Sequence, residues 1–287
     1  MNELAKRLLV AVIGIPIAIL LFYLGNWYFF GAILIISMIA LYEFLKLTQK
    51  KGVNSKLPIP LIMIVLFETL IFISLSNNNI FTFIIFIVVL LILIIASYFL
   101  LLMKNLFFEK ENFILITASE LFSIYYILIP FASLLSIRLM NFKVFENLEL
   151  DYVKGSFLLI YFATIWLCDS AAYFIGKKWG KHKIATKISP KKSWEGGIAG
   201  LIMSIVIFPV LILLFKVEIP IYLAVLFGFV IGLFGQIGDF LESSYKRDAN
   251  VKDSSNILSE HGGILDRFDS VMFTAPIILL LLILFSF

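Results

Sequence analysis

Charge is scarce in this sequence, and sulfur scarcer. Only 15% of the residues are Asp, Glu, Lys or Arg and 62% are hydrophobic, whereas a soluble globular protein carries about 25% charged residues. That shortage excludes a soluble domain with a charged surface and calls for a lipid environment. Cys168, the only cysteine, excludes a disulfide framework and a cysteine-built zinc site. Two histidines, His182 and His261, are too few to build such a site in its place. The first apolar run follows Lys6 and Arg7 as a signal peptide would, but it lacks a small-x-small cleavage site and continues past Leu21 into aromatic residues. It is expected to remain as a first membrane span.

What is present is apolar sequence in long runs, centred near residues 8–24, 27–45, 57–75, 80–103, 115–137, 155–175, 197–215, 220–241 and 270–286. A bilayer crossing takes about 20 such residues, and lipid cannot satisfy free backbone groups, so helices are the sensible form. The expected fold is all-α: a polytopic integral membrane protein of nine transmembrane helices. Residues 1–150 carry helices 1–5 with short loops, and residues 151–287 carry helices 6–9 with the long polar loops, as one structural unit.

Basic residues are divided unevenly between the two ends of these spans. Gly25-Asn26, Ser76-Asn77-Asn78-Asn79 and Val217-Glu218 are tight turns on one side, and segments 46–56, 104–110, 177–192 and 246–267 lie on the other. Counted with Lys6 and Arg7, that second side holds all of the 23 Lys and Arg except Arg138, Lys143, Lys154 and Lys216. The positive-inside rule makes it cytoplasmic, with the amino terminus in and the carboxyl terminus out. For segments 46–56 and 104–111, orientation and attraction to anionic lipid are as good a reason for the charge as function is.

The polar segment from Ser243 to Asp269 carries more chemistry than orientation needs. Lys246, Arg247, Lys252 and Arg267 supply cations, Asp253, Asp266 and Asp269 supply hard oxygen ligands, and Gly262-Gly263 after His261 frees a turn from side-chain bulk. These are the components of a phosphate and metal site. Upstream, in Ser189-Pro190-Lys191-Lys192-Ser193, the lysines can neutralise a polyphosphate, and Ser193 can cap the next helix beside its positive dipole end. Alone, that block reads more simply as a helix cap with surface lysines, and the downstream segment is what turns the reading toward function.

Acids within apolar runs are functional candidates. Asp169 lies toward the cytoplasmic end of the sixth span, and Asp239 and Glu242, three apart, share a helix face that continues into the polar segment. Glu68 and Glu120 have no motif around them and are expected to be hydrogen-bonded structural or lipid-interface acids. Gly228, Gly232, Gly235 and Gly238 suit close helix approach, within the fold or across a homodimer.

The spacing S-x-x-K-R, four residues, K-D, then H-G-G-x-x-D-R-x-D resembles the pattern of the phosphatidate cytidylyltransferases, also called CDP-diacylglycerol synthases. Ser243, Lys246, Arg247, Lys252, Asp253, Ser255, Leu258, His261, Gly262, Gly263, Ile264, Asp266, Arg267 and Asp269 match it. Tyr245 departs, where the family has an aliphatic residue or Phe, as does Ser259, where it has Pro or Gly; both sit beside the ionic positions. The Ser-Pro-Lys-Lys block, Asp169 before its Ala-Tyr pair and the GQ-x-GD-x-x-ES block around Asp239 resemble the same family. The first half of the chain resembles it in hydropathy alone.

The resemblance implies a nucleotidyltransferase of phospholipid biosynthesis in the cell membrane, its active site facing the cytoplasm. A phosphate oxygen of phosphatidic acid attacks the α-phosphorus of CTP, giving CDP-diacylglycerol and pyrophosphate. The implied catalytic residues are Asp239, Asp266, Lys246, Arg247, Lys252, His261 and Arg267, with substrate held by Ser189, Lys191, Lys192, Ser193, Gly262, Gly263 and Asp169. Magnesium is expected at Asp239, Asp266, Glu242, Asp253 and Asp269, with room for a second cation. His261 either donates to a phosphate, acts as an acid for the leaving group or only pins the glycine turn; Asp253 either ligates metal or holds Lys252 and Arg247; Asp269 either ligates or orients. Asparagine at position 239 or 266 is expected to abolish turnover with little loss of folded protein. CTP, phosphatidic acid and the bilayer are the implied partners, and nucleic acid is not among them. A CTP-dependent polyprenol or phytol kinase, which releases CDP rather than pyrophosphate, is the competing enzyme class. An ion transporter would leave the clustered Lys, Arg and His-Gly-Gly without a purpose.

Overall fold

Each apolar run becomes one helix. A computed structural model describes residues 3–76, 80–109, 112–142, 150–257 and 262–286. Among the described residues the helices are α1 (Glu3–Leu24), α2 (Asn26–Lys50), α3 (Pro58–Ser76), α4 (Ile80–Phe108), α5 (Phe113–Leu139), α6 (Leu150–Trp179), α7 (Trp194–Leu214), α8 (Ile221–Asp248) and α9 (Leu265–Leu284). Seven of these, α2, α3 and α5 to α9, are long and apolar enough to cross a membrane, and α1 and α4 contribute the apolar stretches Val12–Leu24 and Ile94–Phe107. The protein is a polytopic membrane protein of the all-α class, as its hydropathy predicts. The expected turn at Asn77–Asn79 lies outside the described residues.

Several helices outrun their apolar segments on the basic side. The last turns of α2, α6 and α8 carry Lys50, Lys177 with Lys178, and Lys246 with Arg247. Cations there complement the negative end of the helix dipole. Between α6 and α7, where a polar loop is expected, β1 (Lys183–Ala185) pairs antiparallel with β2 (Ser189–Ser193). Strands this short leave no readable alternation, and Pro190 is tolerated because a two-stranded ribbon consists only of edges.

Helices α6 to α9 pack in sequence, α5 closes against α9, α2 and α3 pack on α5, and α1 lies along α6. The first half therefore forms part of the wall around the second. Glycines set the closest approaches within this bundle. A Cβ at Gly228 would stand 2.4 Å from the Ser204 carbonyl oxygen of α7, and one at Gly238 would stand 2.5 Å from the Asp269 carbonyl oxygen of α9. The glycine row thus serves helix contact inside the fold.

The two acids without motifs are both buried. Glu120 accepts hydrogen bonds from the Lys56 amide (2.7 Å), Lys104 Nζ (2.7 Å) and Asn105 Nδ2 (3.1 Å), which makes it the structural acid that was expected. It ties α4 and α5 to the loop before α3. Glu68 lies inside the bundle beside Ser37 and not at the lipid interface.

Candidate active site

The basic ends of α6, α8 and α9, with β2, converge on a cavity of about 1260 Å³. Asp169, Asp239, Asp266, Asp269, Arg267, Lys191 and Lys192 line its polar end, and Lys177 and Lys183 stand there too. Its other end is apolar. Ala18 and Leu21 of α1, Phe29, Ala32, Ile33 and Ile36 of α2, Leu134 of α5, and Phe162 and Ile165 of α6 form that arm. Asp169 is an exposed residue, and the space it is exposed to is this cavity.

Two spans, α7 and α8, separate the Ser-Pro-Lys-Lys block from the Ser243–Asp269 segment, so both must emerge on one face. They touch there. Lys192 Nζ lies 2.5 Å from Asp239 Oδ2 and 4.0 Å from the centre of the Phe240 ring. Arg247 Nε donates to the Ile188 carbonyl oxygen at 3.2 Å, and Lys51 pairs with Asp248 at 2.8 Å. Ser193 caps α7 as expected, its Oγ accepting from the Gly196 amide at 3.3 Å. Glu195 accepts from the His182 amide at 3.1 Å and meets His182 Nδ1 at 2.6 Å, which fastens the hairpin to the start of α7. Gln236, to which the sequence assigned no role, donates to the Gly197 carbonyl oxygen at 3.0 Å and locks α8 to that same turn.

The acids expected to share a metal divide into two groups. Asp266 is engaged through both oxygens: Oδ1 meets Lys246 Nζ at 2.5 Å, and Oδ2 accepts from the Ser254 amide (2.9 Å), Ser254 Oγ (2.8 Å) and the Gly263 amide (2.7 Å). Lys246 also pairs with Glu242 at 2.5 Å, one turn back on α8. Lys246 and Glu242 are buried, neither lines the cavity, and the one ammonium serves two carboxylates. Asp169, Asp239 and Asp269 form the second group. They come from three helices, face the cavity together and act on one another electrostatically. Among the described residues no three of His, Cys, Asp or Glu are gathered so as to cage an ion. That donor set suits magnesium, which is commonly held by one or two carboxylates and completes its coordination with substrate phosphates and water.

Other candidates stand apart from the cavity. Lys252 and Asp253 are exposed on the loop after α8, Arg247 is spent on the Ile188 and Val251 carbonyls, and Ser189 pairs with Ala185 in the hairpin. His261 lies outside the described residues, as do Leu258 and Ser259. Gly262 has φ +78°, and a Cβ there would stand 2.6 Å from Asp266 Oδ2. A Cβ at Gly263 would stand 2.1 Å from Ser254 Oγ and 2.5 Å from both carboxylate oxygens of Glu43. The pair of glycines is therefore required by the carboxylates packed around the turn.

Glu43 is the residue that sequence reasoning missed. It sits in α2, in the half of the chain without motifs, and it is completely buried. Oε1 accepts from Ser255 Oγ (2.5 Å) and the Ile264 amide (3.0 Å), and Oε2 from the Leu265 amide (2.8 Å) and Ser254 Oγ (3.2 Å). An acid inside an apolar run was the only local signal. Beside it, the rings of Phe44, Phe122, Tyr126 and Tyr245 cluster with centroids 5.2–6.1 Å apart, joining α2, α5 and α8. Tyr245, which departs from the family pattern, fills a place in that cluster where a Phe ring would serve as well.

The sequence profile of the cytidylyltransferase family matches residues 5–285. Proteins named phosphatidate cytidylyltransferase are among the similar curated ones. That of Staphylococcus saprophyticus is 44% identical over 127 residues, 44% of this chain and 49% of its own. That of Bacillus subtilis is 43% identical over 141 residues, 49% of this chain and 52% of its own, and that of Staphylococcus aureus strain COL is 46% identical over 129 residues, 44% and 49%. The chain spans about half the length of the curated relatives it matches. The family profile, by contrast, runs through α2 with Glu43 as well as through the motif-bearing segments, and on that match the chain belongs to the cytidylyltransferase family.

Proposed function

We propose that this protein transfers the cytidylyl group of CTP to phosphatidic acid, forming CDP-diacylglycerol and pyrophosphate. The observation that carries the reading is one cavity with Lys191, Lys192, Arg267 and four carboxylates at one end and an apolar arm at the other. Such a space suits a substrate pair of which one is a polyphosphate and the other a phosphate on a lipid. Relatives named phosphatidate cytidylyltransferase support the same choice.

The lipid phosphate, with a second pKa of about 6, is already largely ionised at neutral pH, so the reaction needs no strong base. One of its oxygens bonds to the α-phosphorus of CTP, and the bond from that phosphorus to the bridging oxygen of the β-phosphate breaks, releasing pyrophosphate. The protein must hold two mutually repelling anions in line and offset the charge on the phosphoryl oxygens and leaving group. In this reading Lys191 and Lys192 bind the triphosphate and Arg267 faces the phosphoryl group. Asp239, with Asp169 or Asp269, would hold magnesium, which when bound supplies further neutralisation of the phosphates. The basic face is cytoplasmic in the cell membrane, where CTP is available.

Incubating the purified protein with phosphatidic acid micelles, magnesium and CTP labelled on the α-phosphate tests this directly. Label in a lipid product, with one pyrophosphate released per turnover, is expected. Release of labelled CDP with an unlabelled phosphorylated lipid would assign the chain to the lipid kinases instead.

A further inference from the structure

Glu43 has no motif and no place in the cavity, yet a buried carboxylate is costly unless its oxygens are occupied. Among the described residues its four hydrogen bonds go to one destination: the loop after α8 and the start of α9, which carry Asp266, Arg267 and Asp269. Two of the donors are the amides of Ile264 and Leu265 at the amino end of α9, the positive end of the helix dipole. The other two are the hydroxyls of Ser254 and Ser255. Ser254 is shared, since its Oγ lies 3.2 Å from Glu43 Oε2 and 2.8 Å from Asp266 Oδ2, and its single proton can serve only one of them at a time. Glu43, Ser254, Asp266, Lys246 and Glu242 thus form a continuous chain of contacts from α2 through the loop to α9 and α8.

The start of α9 has no capping side chain of its own: Ile264 stands at the cap position and makes no side-chain hydrogen bond. Its first amides are satisfied from another helix. We propose that Glu43 is a positioning residue of the active site: it supplies the cap that α9 lacks and thereby sets the height and rotation at which Arg267 and Asp269 enter the cavity. This inference rests on the cytidylyltransfer reading for its kinetic arm and on geometry alone for its structural arm. Gln at position 43 keeps the volume but turns one acceptor oxygen into a donor facing backbone N–H groups, so one set of bonds becomes repulsive. The α9 entry then shifts, and a misplacement of about 1 Å costs about 10²-fold in rate.

Glu43→Gln, Glu43→Asp and Ser255→Ala, purified in detergent, are to be compared with the unaltered protein. In Glu43→Gln, kcat should fall by about 10²-fold while KM for CTP and for phosphatidic acid stays within a few-fold, because the binding groups on β2 and in the apolar arm are untouched. Glu43→Asp, which keeps the charge and can reach one pair of donors, should recover part of the loss. Amide hydrogen exchange over residues 262–268 should speed up in Glu43→Gln, with exchange in α6 and α7 unchanged. If Glu43→Gln does not accumulate as folded protein, Ser255→Ala must show the same lowered kcat with unchanged KM values. Wild-type kcat in the folded variants overturns the proposal, as does unchanged exchange at residues 262–268. Failure of the unaltered protein to make CDP-diacylglycerol would instead count against the proposed function, and the exchange measurement would still decide whether Glu43 holds the start of α9.

Discussion

Lys192 of β2 and Asp239 of α8 form a salt bridge at 2.5 Å, with 27% and 31% of their side chains exposed. Being open, the pair contributes little to stability, about 0–1 kcal/mol. It is also within reach of substrate. A triphosphate entering the cavity competes with Asp239 for the lysine, and whatever Lys192 gives up leaves an Asp239 oxygen free for a cation.

Replacing Lys192 by Gln should therefore raise KM for CTP by about tenfold or more, a charged hydrogen bond being worth about 1.5–3 kcal/mol. KM for phosphatidic acid and the melting temperature should change little. Steady-state kinetics with each substrate varied in turn checks this. A change confined to the lipid constant would assign the lysine to the lipid headgroup.

Asp239→Asn and Asp266→Asn should differ, although the sequence put both acids in one role. Asp239 pairs with partly exposed Lys192 and faces the cavity, so its loss should abolish magnesium-dependent turnover and leave melting nearly unchanged. Asp266 neutralises buried Lys246 and accepts three further hydrogen bonds, so its loss should also destabilise the fold, by about 3–5 kcal/mol for a broken buried pair. Thermal unfolding in detergent, run beside the activity assay, separates the two. Similar melting in both variants would remove the structural role given to Asp266.

Ala18 of α1 and Ala32 of α2 stand in the apolar arm of the cavity. Phe at either position should fill room that a lipid chain occupies. KM for long-chain phosphatidic acid should then rise relative to that for a dioctanoyl form, with KM for CTP unmoved. Equal effects on both lipids would place the chains elsewhere.

Single cysteines at positions 187 and 250, in a protein whose Cys168 is replaced by Ser, should react with an impermeant thiol reagent only from the cytoplasmic side. The contact between Arg247 and Ile188 already joins these two segments on one face. Labelling from the outer side would reverse the proposed orientation.

Hydropathy alone determined the helices. Each apolar run long enough to cross a bilayer has one low-cost form in lipid, so their number and approximate bounds follow from length and composition. The same periodic crossing put the two motif-bearing segments on one face, and their spacing identified the family. What each acid does was decided by the tertiary structure. Glu43 meets the Leu265 amide 222 positions away, and no local pattern encodes a partner at that distance. Asp239 and Asp266 carry the same charge in equally well-matched motifs and both line the cavity, yet one pairs with a partly exposed lysine and the other is held through both oxygens by Lys246, Ser254 and Gly263. A carboxylate's role depends on which donors surround its oxygens, and those donors are brought together only when α2, α8 and α9 pack.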